Sequence, residues 1–285
     1  MFTKYQLDDG RNVLVEQLGQ PIVYFDNWAL NDIALEFSFR ERFIAIMKDR
    51  NGTLRLSISN IVELLKQTDQ DQIEAILSMV DSVDSGFINT SFVEVINLEN
   101  GILRGEVDEN PSQEMGLVLT YLLAQNWPES WTVSGVIRSA LENSSGKKLS
   151  ESWVKFSDRM KTFLDSVRSD KEYTIKSRAR ANSTRKKGKE YDRATRELFL
   201  LGFDFVLQNS AMTMSSNEWH DFFHSIVPVA YCDLVLLDKR WTTFVHQTRL
   251  TFPNIAFAFD RTSIDLFFST LETVQFAEND SPHGP

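Results

Sequence analysis

The sequence predicts an α/β protein in which a three-layer α/β/α arrangement with a parallel sheet is interrupted by a mainly helical insertion. Three apolar runs, "PIVYFD", "DLVLLD" and "NIAFAFD", are nearly continuous and end in an acid, which is typical of strands buried on both faces. Strand and helix patterns alternate near both ends of the chain, which indicates parallel strands joined by helices. We therefore expect residues 1–89 and 214–285 to form the two halves of one domain, with residues 90–213 as the insertion.

The first half of the domain opens with a short buried strand bounded by Pro21 and Asp26. A helical pattern follows from about Trp28 to Lys48, and "RNGTLRLSISN" then predicts a turn and a second strand. The next helix begins in "NIVELLKQ", with Asn60 as its expected cap.

The middle of the chain and the second half of the domain follow the same reasoning. Four segments of the insertion have apolar residues at helical spacing: "QEMGLVLTYLLAQNW", "VSGVIRSALE", "ESWVKFSDRMKTFLDSV" and "YDRATRELFLLGFDFVLQ". The second half opens with an apolar helix, "NEWHDFFHSIV", and continues with a strand in "DLVLLD" and a helix through "WTTFVHQTRL". A last strand, "NIAFAF", and a final helix, "SIDLFFSTLETV", complete it.

Basic residues are concentrated in residues 171–196, which hold ten Lys and Arg against three acids. The rest of the chain carries 20 basic and 37 acidic residues, a balance of −17, so a local contact with a polyanion such as RNA is favoured over a general nucleic-acid coat. The Gly and small polar residues of "NSTRKKGK" predict a mobile loop, and a solvated tether or a docking site for an acidic protein is the alternative. The expected phosphate contacts are Lys176, Arg178, Arg180, Arg185, Lys186, Lys187 and Lys189.

Composition excludes several other classes. The longest uncharged stretch is too short to span a bilayer and the first residues lack the pattern of a signal peptide, so we expect a cytoplasmic protein without membrane contact. The single Cys232 has no partner for a disulfide or a cysteine metal site, and we expect it in the core.

Four acids are expected at one edge of the sheet. Ligands of open parallel sheets bind beyond the carboxyl ends of the strands, where Asp26 and Asp238 each follow a strand. Glu63 is expected in the first turn of the helix after the second strand, and Asp221 on the helix that leads into the strand before Asp238. Because clustered carboxylates repel one another, the arrangement calls for a cation, and Mg²⁺ or Mn²⁺ suits oxygen ligands.

Each acid also has a purely structural explanation. Asn60 and Glu63 have the spacing of a capping box, Asp26 could cap the helix that follows it, and Asp238 could pair with a neighbouring cation or start the next helix. Asp221 is harder to explain in this way, because Phe222 and Phe223, which follow it, imply that it is partly buried.

Three further residues carry weaker signals. His220 and His224 lie one helical turn apart, but the Glu that metalloprotease helices place after the first His is missing, so a core or capping role is favoured. Asp233 starts the strand that Asp238 ends, about 16 Å away, so the two cannot share one metal.

The four acids resemble the pattern of the PIN-domain nuclease family. The family's first acid closes the first strand, as in "VYFDNW", and its second, a Glu, opens the helix after the second strand, as in "LSISNIVELL". Its third precedes the fourth by about 17 residues, the separation of Asp221 from Asp238. The matching stretches cover about residues 20–80 and 215–270, under half of the chain.

This resemblance implies a function. It implies that Asp26, Glu63, Asp221 and Asp238 bind one or two Mg²⁺ or Mn²⁺ ions and that a metal-activated water cleaves RNA. The large insertion has no counterpart in the compact toxins of the family, so a more elaborate toxin or defence effector is implied, with a regulatory or inhibitory protein as partner.

The chain also departs from the family pattern. Asn27 and Trp28 follow the first acid where Thr or Ser and then Asn are common, and Leu236 stands where Thr is frequent. These departures leave two alternatives open: a catalytically inactive PIN-like module that binds RNA or protein, and an interaction protein that works through its helical insertion.

Overall fold

The computed structural model describes residues 2–6, 12–16, 18–103, 132–142, 155, 158–159, 161–187, 195–209, 212 and 214–275. In this part of the chain, β1 (Phe2–Gln6) and β2 (Asn12–Glu16) form an antiparallel pair, and five other strands form an all-parallel sheet. The sheet strands are β3 (Ile22–Phe25), β4 (Thr53–Leu56), β5 (Asp84–Phe87), β6 (Leu234–Leu236) and β7 (Phe257–Phe259). The predicted α/β class with a parallel sheet is therefore confirmed.

Helices connect and flank these strands. Residues 161–169 are helical, and a short 3₁₀ turn covers Arg261–Ser263. The longer helices are α1 (Asn27–Leu35), α2 (Phe37–Asp49), α3 (Ile58–Lys66), α4 (Gln70–Asp81), α5 (Phe92–Leu103), α6 (Val133–Glu142), α7 (Lys171–Lys187), α8 (Thr195–Gln208), α9 (Ser216–Tyr231), α10 (Lys239–Arg249) and α11 (Ile264–Thr273). Where the structure describes the chain, no helix is both long and apolar enough to cross a bilayer.

The strand order β5-β4-β3-β6-β7 places a change of direction in the middle of the sheet. From β3 the chain moves outward to β4 and β5, and it later returns to pair β6 with the other side of β3. The backbone N–H of Asp26 donates to the carbonyl of Leu236 (2.9 Å) at this point. In such sheets the crevice at the carboxyl ends of the two strands that flank the change of direction is where ligands bind.

Apolar side chains cover both faces of the sheet. Ile22 and Tyr24 belong to one cluster with residues of α5, α8, α9 and α10, whereas Val23 and Phe25 belong to a second cluster with residues of α1, α2, α4, α6 and α11. Alternate residues of a strand point to opposite faces, so a strand buried on both sides is mostly apolar throughout its length, although β4 also buries Thr53 and Arg55. This explains why the runs that predicted the strands show no alternation of polarity.

The described helices of the insertion, residues 90–213, pack directly against the rest of the protein. On one face, the ring of Phe92 in α5 stacks between Phe199 of α8 and Phe223 of α9, with ring centroids 4.5 and 5.1 Å apart. Gly202 of α8 faces Phe222, whose ring would lie 2.4 Å from a Cβ at that position. On the other face, α6 packs against α3 and α4. These helices therefore complete the layers that flank the sheet.

Some elements differ from the sequence prediction. The single helix expected from Trp28 to Lys48 is divided at Glu36, where the backbone is extended (φ −78°, ψ 109°) and the Arg40 side chain donates to the Ala34 carbonyl at the end of α1. The strand β5, the β1–β2 pair and the helix α4 were not predicted. The segment "QEMGLVLTYLLAQNW" lies outside the described residues.

Candidate functional site

Asp26 and Asp238 stand at equivalent junctions of strand and helix on the two sides of the crevice. Asp26 follows β3 and is the N-cap of α1, with its Oδ1 accepting from the N–H of Asn27 (2.8 Å). Asp238 occupies the N-cap position of α10, but its side chain makes no capping hydrogen bond. The expectation that these acids begin helices is confirmed, and the carboxylate of Asp238 takes no part in the cap.

Asp221 reaches the same region from α9. That helix begins with a capping box in which the N–H of Glu218 donates to the Ser215 hydroxyl and the N–H of Ser215 donates to the Glu218 carboxylate (3.3 and 2.6 Å). The adjacent rings of Phe222 and Phe223 are buried, and Asp221 itself is partly buried as expected.

The carboxyl groups of these acids act on one another. Burial, followed by repulsion from Asp238 and Glu63, raises the pKa of Asp26 to about 7. Burial, followed by repulsion from Asp26, Asp238 and Glu63, raises the pKa of Asp221 to about 8. Burial also raises the pKa of Asp238, although two arginines oppose it. The structure thus brings acids that are far apart in sequence into one carboxylate cluster, which we define as Asp26, Asp221 and Asp238.

The nearby cations do not neutralise this cluster. Arg240 is ion-paired with Glu218 (2.5 Å), and Arg261 is ion-paired with Asp32 (2.8 Å). Among the residues with described side chains, no Lys or Arg forms an ion pair with Asp26 or Asp221. Buried carboxylates without a cation are held by protonation or by a ligand that brings positive charge.

Glu63 lies at the rim of the cluster rather than inside it. Its side chain is 45% exposed and pairs with Lys66 (2.6 Å). The predictions that Asn60 caps α3 and that Glu63 lies in its first turn are wrong, because α3 begins at Ile58 and Ser57 is its N-cap. The capping box in "SISN" starts the helix one turn earlier than a cap at Asn60 would.

Asn60 has a different role, which the sequence did not predict. Its Oδ1 accepts from the N–H of Ser57 (2.8 Å), and its Nδ2 donates to the Phe25 carbonyl (3.1 Å) and to Oδ1 of Asn27 (2.9 Å). Asn60 is 1% exposed, so these bonds are sheltered from water. They tie the end of β4 to the residues on either side of Asp26. Local spacing signals the bond within the capping box, but not the bonds that bridge 33 and 35 residues.

The positions of the acids do not by themselves form a metal cage. Across the described part of the chain, no three His, Cys, Asp or Glu side chains are arranged so that they could hold one ion. The carboxylate oxygens are of the hard type that Mg²⁺ and Mn²⁺ prefer. The donor chemistry therefore fits these ions, while coordination requires the side chains to turn toward a common point.

Of the two histidines of α9, His224 is buried and His220 is partly buried. Nδ1 of His224 lies 2.8 Å from the Thr90 hydroxyl, and the rings of His220 and His224 are parallel, 6.1 Å apart. Burial lowers the pKa of His220 to about 4 and that of His224 to about 3, and a neighbouring charge adds to each effect. Both rings are therefore neutral near pH 7, as a core role predicts.

Two other residues of the sequence prediction also have structural roles. Oδ2 of Asp233 accepts from the N–H of Ile22 (2.7 Å) at the amino ends of β3 and β6, the edge of the sheet opposite to Asp238. Cys232 is a free, buried thiol, as expected.

The basic segment is a helix over most of its length. The prediction of a mobile loop is wrong for residues 182–187, which belong to α7. Asp170 caps this helix by accepting from the N–H groups of Glu172 and Tyr173 (2.9 and 3.1 Å). Lys189 and the side chain of Lys187 lie outside what the structure describes. Of the predicted phosphate contacts, Lys176, Arg178, Arg180, Arg185 and Lys186 are exposed on α7, and Lys171 at its start is exposed as well.

Comparisons of the chain with protein-family models, curated proteins and solved structures give no match. The family resemblance therefore rests on the four acids and their spacing alone.

Proposed function

We propose that the protein is a PIN-like, metal-dependent ribonuclease that cleaves RNA phosphodiesters in the cytoplasm. The observation that carries this proposal is the uncompensated repulsion of the carboxylate cluster. Asp26 and Asp221 are driven toward protonation, and they lie by the crevice where ligands of parallel sheets bind. A divalent cation relieves the repulsion that burial and proximity create.

Each residue has a distinct part in this proposal. Asp26, Asp221 and Asp238 would hold Mg²⁺ or Mn²⁺. Glu63 would join them only if its ion pair with Lys66 broke and its carboxylate turned to the ion. When bound, the ion lowers the pKa of a coordinated water and offsets charge on the phosphate. Asn60 binds the backbone carbonyl of Phe25 and the side chain of Asn27, the residues on either side of Asp26, so it helps to set the position of the Asp26 carboxylate before a ligand arrives.

The exposed cations of α7 support a polyanionic substrate. The remainder of the chain has a balance of −17 and repels RNA, so a local positive surface is needed to bring a strand to an acidic site. The phosphate backbone supplies most of the attraction in such contacts.

An RNA cleavage assay tests the proposal. The wild-type protein should cut single-stranded RNA with Mn²⁺ and lose this activity in a chelator, and Asp26→Asn and Asp221→Asn should be inactive. Asp49→Asn, which changes an exposed carboxylate of α2, is the matched control and should retain activity. Growth arrest on expression of the wild type, but not of Asp26→Asn, would support a toxin or defence effector. Cleavage that survives chelation, or that persists in both cluster variants, contradicts the proposal.

A second candidate is a catalytically inactive PIN-like module that binds RNA or protein. The observation that favours it is the absence, within the described residues, of three side chains arranged around one ion. It predicts RNA binding without turnover in Mg²⁺ or Mn²⁺, and no effect of Asp26→Asn on that binding.

A further inference from the structure

A polar groove of about 400 Å³ lies between α7 and α8. We define it by Arg178, Asn182 and Arg185 of α7 and by Asp204 and Gln208 of α8, all of which line it. It is a surface feature of the basic helix and does not involve the carboxylate cluster.

The cations of α7 are divided between two flanks of the helix. Ser177, Ala181 and Thr184 are buried and lie four and three residues apart, so they mark the stripe that packs against α8. At 3.6 residues per turn, Arg178 and Arg185 lie on one side of this stripe, and Lys176 and Arg180 lie on the other. Each flank presents two cations, but Lys176 is ion-paired with Glu172 (2.5 Å), and only the first flank lines the polar groove.

Arg185 is held in place by a buried acid. Its Nη1 donates to Oδ1 of Asn182 (3.0 Å) and its Nη2 to Oδ2 of Asp204 (3.4 Å). Asp204 is 2% exposed, and its other oxygen accepts from Gln208 (3.0 Å). Arg178 forms no ion pair with any acid whose side chain the structure describes. The groove therefore contains two guanidinium groups and one carboxylate, and it keeps a net positive charge.

A second, more apolar cavity of about 210 Å³ adjoins the polar groove and shares Arg185 and Phe205 with it. Its apolar lining includes Leu201, Phe244 and Leu250, the last of which is 85% exposed. Single-stranded nucleic acid presents a phosphate beside an apolar base, and proteins that bind it pair cationic grooves with apolar or aromatic surfaces.

The apolar cavity lies at a defined distance from the carboxylate cluster. Thr248 lines this cavity at the end of α10, and Asp238 stands at the N-cap position at the start of the same helix. Ten residues at 1.5 Å each place them about 15 Å apart along the helix axis. A stacked strand advances about 3.4 Å per phosphate, so four or five phosphates cover this distance.

We infer that the polar groove binds a phosphodiester of single-stranded RNA through Arg178 and Arg185, with an adjoining base in the apolar cavity. The inference rests on the proposed function for the identity of its ligand. It assigns binding to one flank of α7 and leaves Lys176 and Arg180 without a direct contact.

A pair of charge-matched double variants tests this assignment. Arg178→Ala with Arg185→Ala and Lys176→Ala with Arg180→Ala each remove two positive charges from the same helix. Binding of a short, fluorescently labelled single-stranded RNA is measured by anisotropy between about 50 and 200 mM salt, in a chelator so that no cleavage occurs. The plot of log affinity against log salt has a negative slope, and the groove variant should make this slope less steep by about 1.4. It should also weaken binding at least tenfold at about 0.1 M salt. The variant of the opposite flank should match the wild type.

A single variant guards against loss of folding, because removal of Arg185 leaves the buried Asp204 without its guanidinium partner. Arg178→Ala alone changes an exposed side chain. It should make the negative slope of log affinity against log salt less steep by about 0.7, with an unchanged circular dichroism melt. Leu250→Ser should weaken the binding of RNA but not of inorganic polyphosphate, which has no bases.

Several outcomes overturn the inference. Equal losses in the two double variants would show diffuse attraction to the whole helix. Equal affinity for single-stranded and duplex RNA would remove the role of the apolar cavity. Unchanged RNA binding in the groove variant, together with capture of an acidic polypeptide, would make α7 a protein-docking surface. Because these measurements need no turnover, groove-dependent binding by an inactive protein would refute the nuclease proposal and leave the groove intact.

Discussion

Replacement of Asp221 by Asn should stabilise the metal-free protein at alkaline pH and have little effect at acidic pH. The carboxyl of Asp221 has its pKa raised from 3.8 to about 8, first by burial and then by repulsion from Asp26. A carboxyl with a raised pKa in the folded state destabilises the fold as pH rises above 3.8, and the cost reaches its full value above about 8. Asn carries no charge at any pH and avoids this cost.

The size of the effect follows from the same values. At 1.36 kcal/mol per pKa unit, the full difference between 3.8 and about 8 corresponds to an upper limit of about 5–6 kcal/mol. Part of this cost is the repulsion that Asp26 and Asp221 share, and water reaches the partly buried side chain. We therefore expect Asp221→Asn to raise the free energy of unfolding by about 2–3 kcal/mol at pH 9 and by under about 0.5 kcal/mol at pH 3.5, below the pKa of the unfolded carboxyl.

Urea unfolding in a chelator at these two pH values measures the difference. Asp49→Asn is the control, since it alters an exposed carboxylate and should change stability at neither pH. The reasoning fails if Asp221→Asn is less stable than the wild type at pH 9, or if its gain is the same at both pH values.

Three further predictions concern the site and its support. The affinity for Mn²⁺ should rise by up to about a hundredfold per pH unit below pH 7 and by up to about tenfold between pH 7 and 8, and then level off, because the metal displaces one proton from Asp26 and one from Asp221. Calorimetry in buffers of different ionisation enthalpy would detect the released protons, and a pH-independent affinity would argue against the site. Asn60→Ala should cost about 2–3 kcal/mol in urea unfolding, because it leaves buried backbone groups unpaired, and an unchanged midpoint would contradict its structural role. Gly202→Ala should cost about 1–3 kcal/mol through its clash with Phe222, whereas Gly135→Ala, whose Cβ would lie 3.1 Å from Thr132 Oγ1, should be neutral or slightly stabilising in thermal melts.

Three of the predicted strands, β3, β6 and β7, are short but lie within continuous apolar runs, and apolar contacts on both faces leave no choice of register. The strand β4, "TLRL", was predicted instead from the turn that precedes it. The strand β5 was missed because it is at the edge of the sheet and its sequence, "DSGF", has one large apolar residue. The break between α1 and α2 was missed because periodicity continues across Glu36 while the backbone does not.

The candidate site divides in the same way between local and distant signals. Asp26 and Asp238 were predictable because a carboxyl-terminal strand end fixes where the next residue lies. Glu63 lies in the second turn of α3 rather than the predicted first turn, because the helix begins earlier than expected. Two capping boxes are possible in "SISNIVE", and the one that begins at Ser57 forms. The contacts of Asn60 depend on strand pairing, which local spacing does not contain. The basic helix was missed because its buried stripe is made of Ser177, Ala181 and Thr184, small residues that give no apolar period.

The carboxylate cluster and the cations of α7 occupy separate parts of the surface, and this separation allows both to keep their charge. A carboxylate cluster next to the cations of α7 would form ion pairs with them, and both surfaces would lose their charge. In the observed arrangement, Arg185 of α7 pairs with the buried Asp204, which orients it, and Lys176 pairs with Glu172 of α7 itself, so neither cation is paired with the carboxylate cluster. Arg240 and Arg261, the two arginines that act on the pKa of Asp238, are ion-paired with Glu218 and Asp32. Asp26 and Asp221 therefore remain without a paired cation among the described residues, whereas the polar groove keeps a net positive charge and adjoins an apolar cavity that lies about 15 Å from Asp238 along α10. A strand of RNA that reaches from the groove to the cluster would bind through its phosphates at the positively charged groove. The same strand could approach the acids only when a divalent cation is bound there, because the bare carboxylates would repel its phosphates.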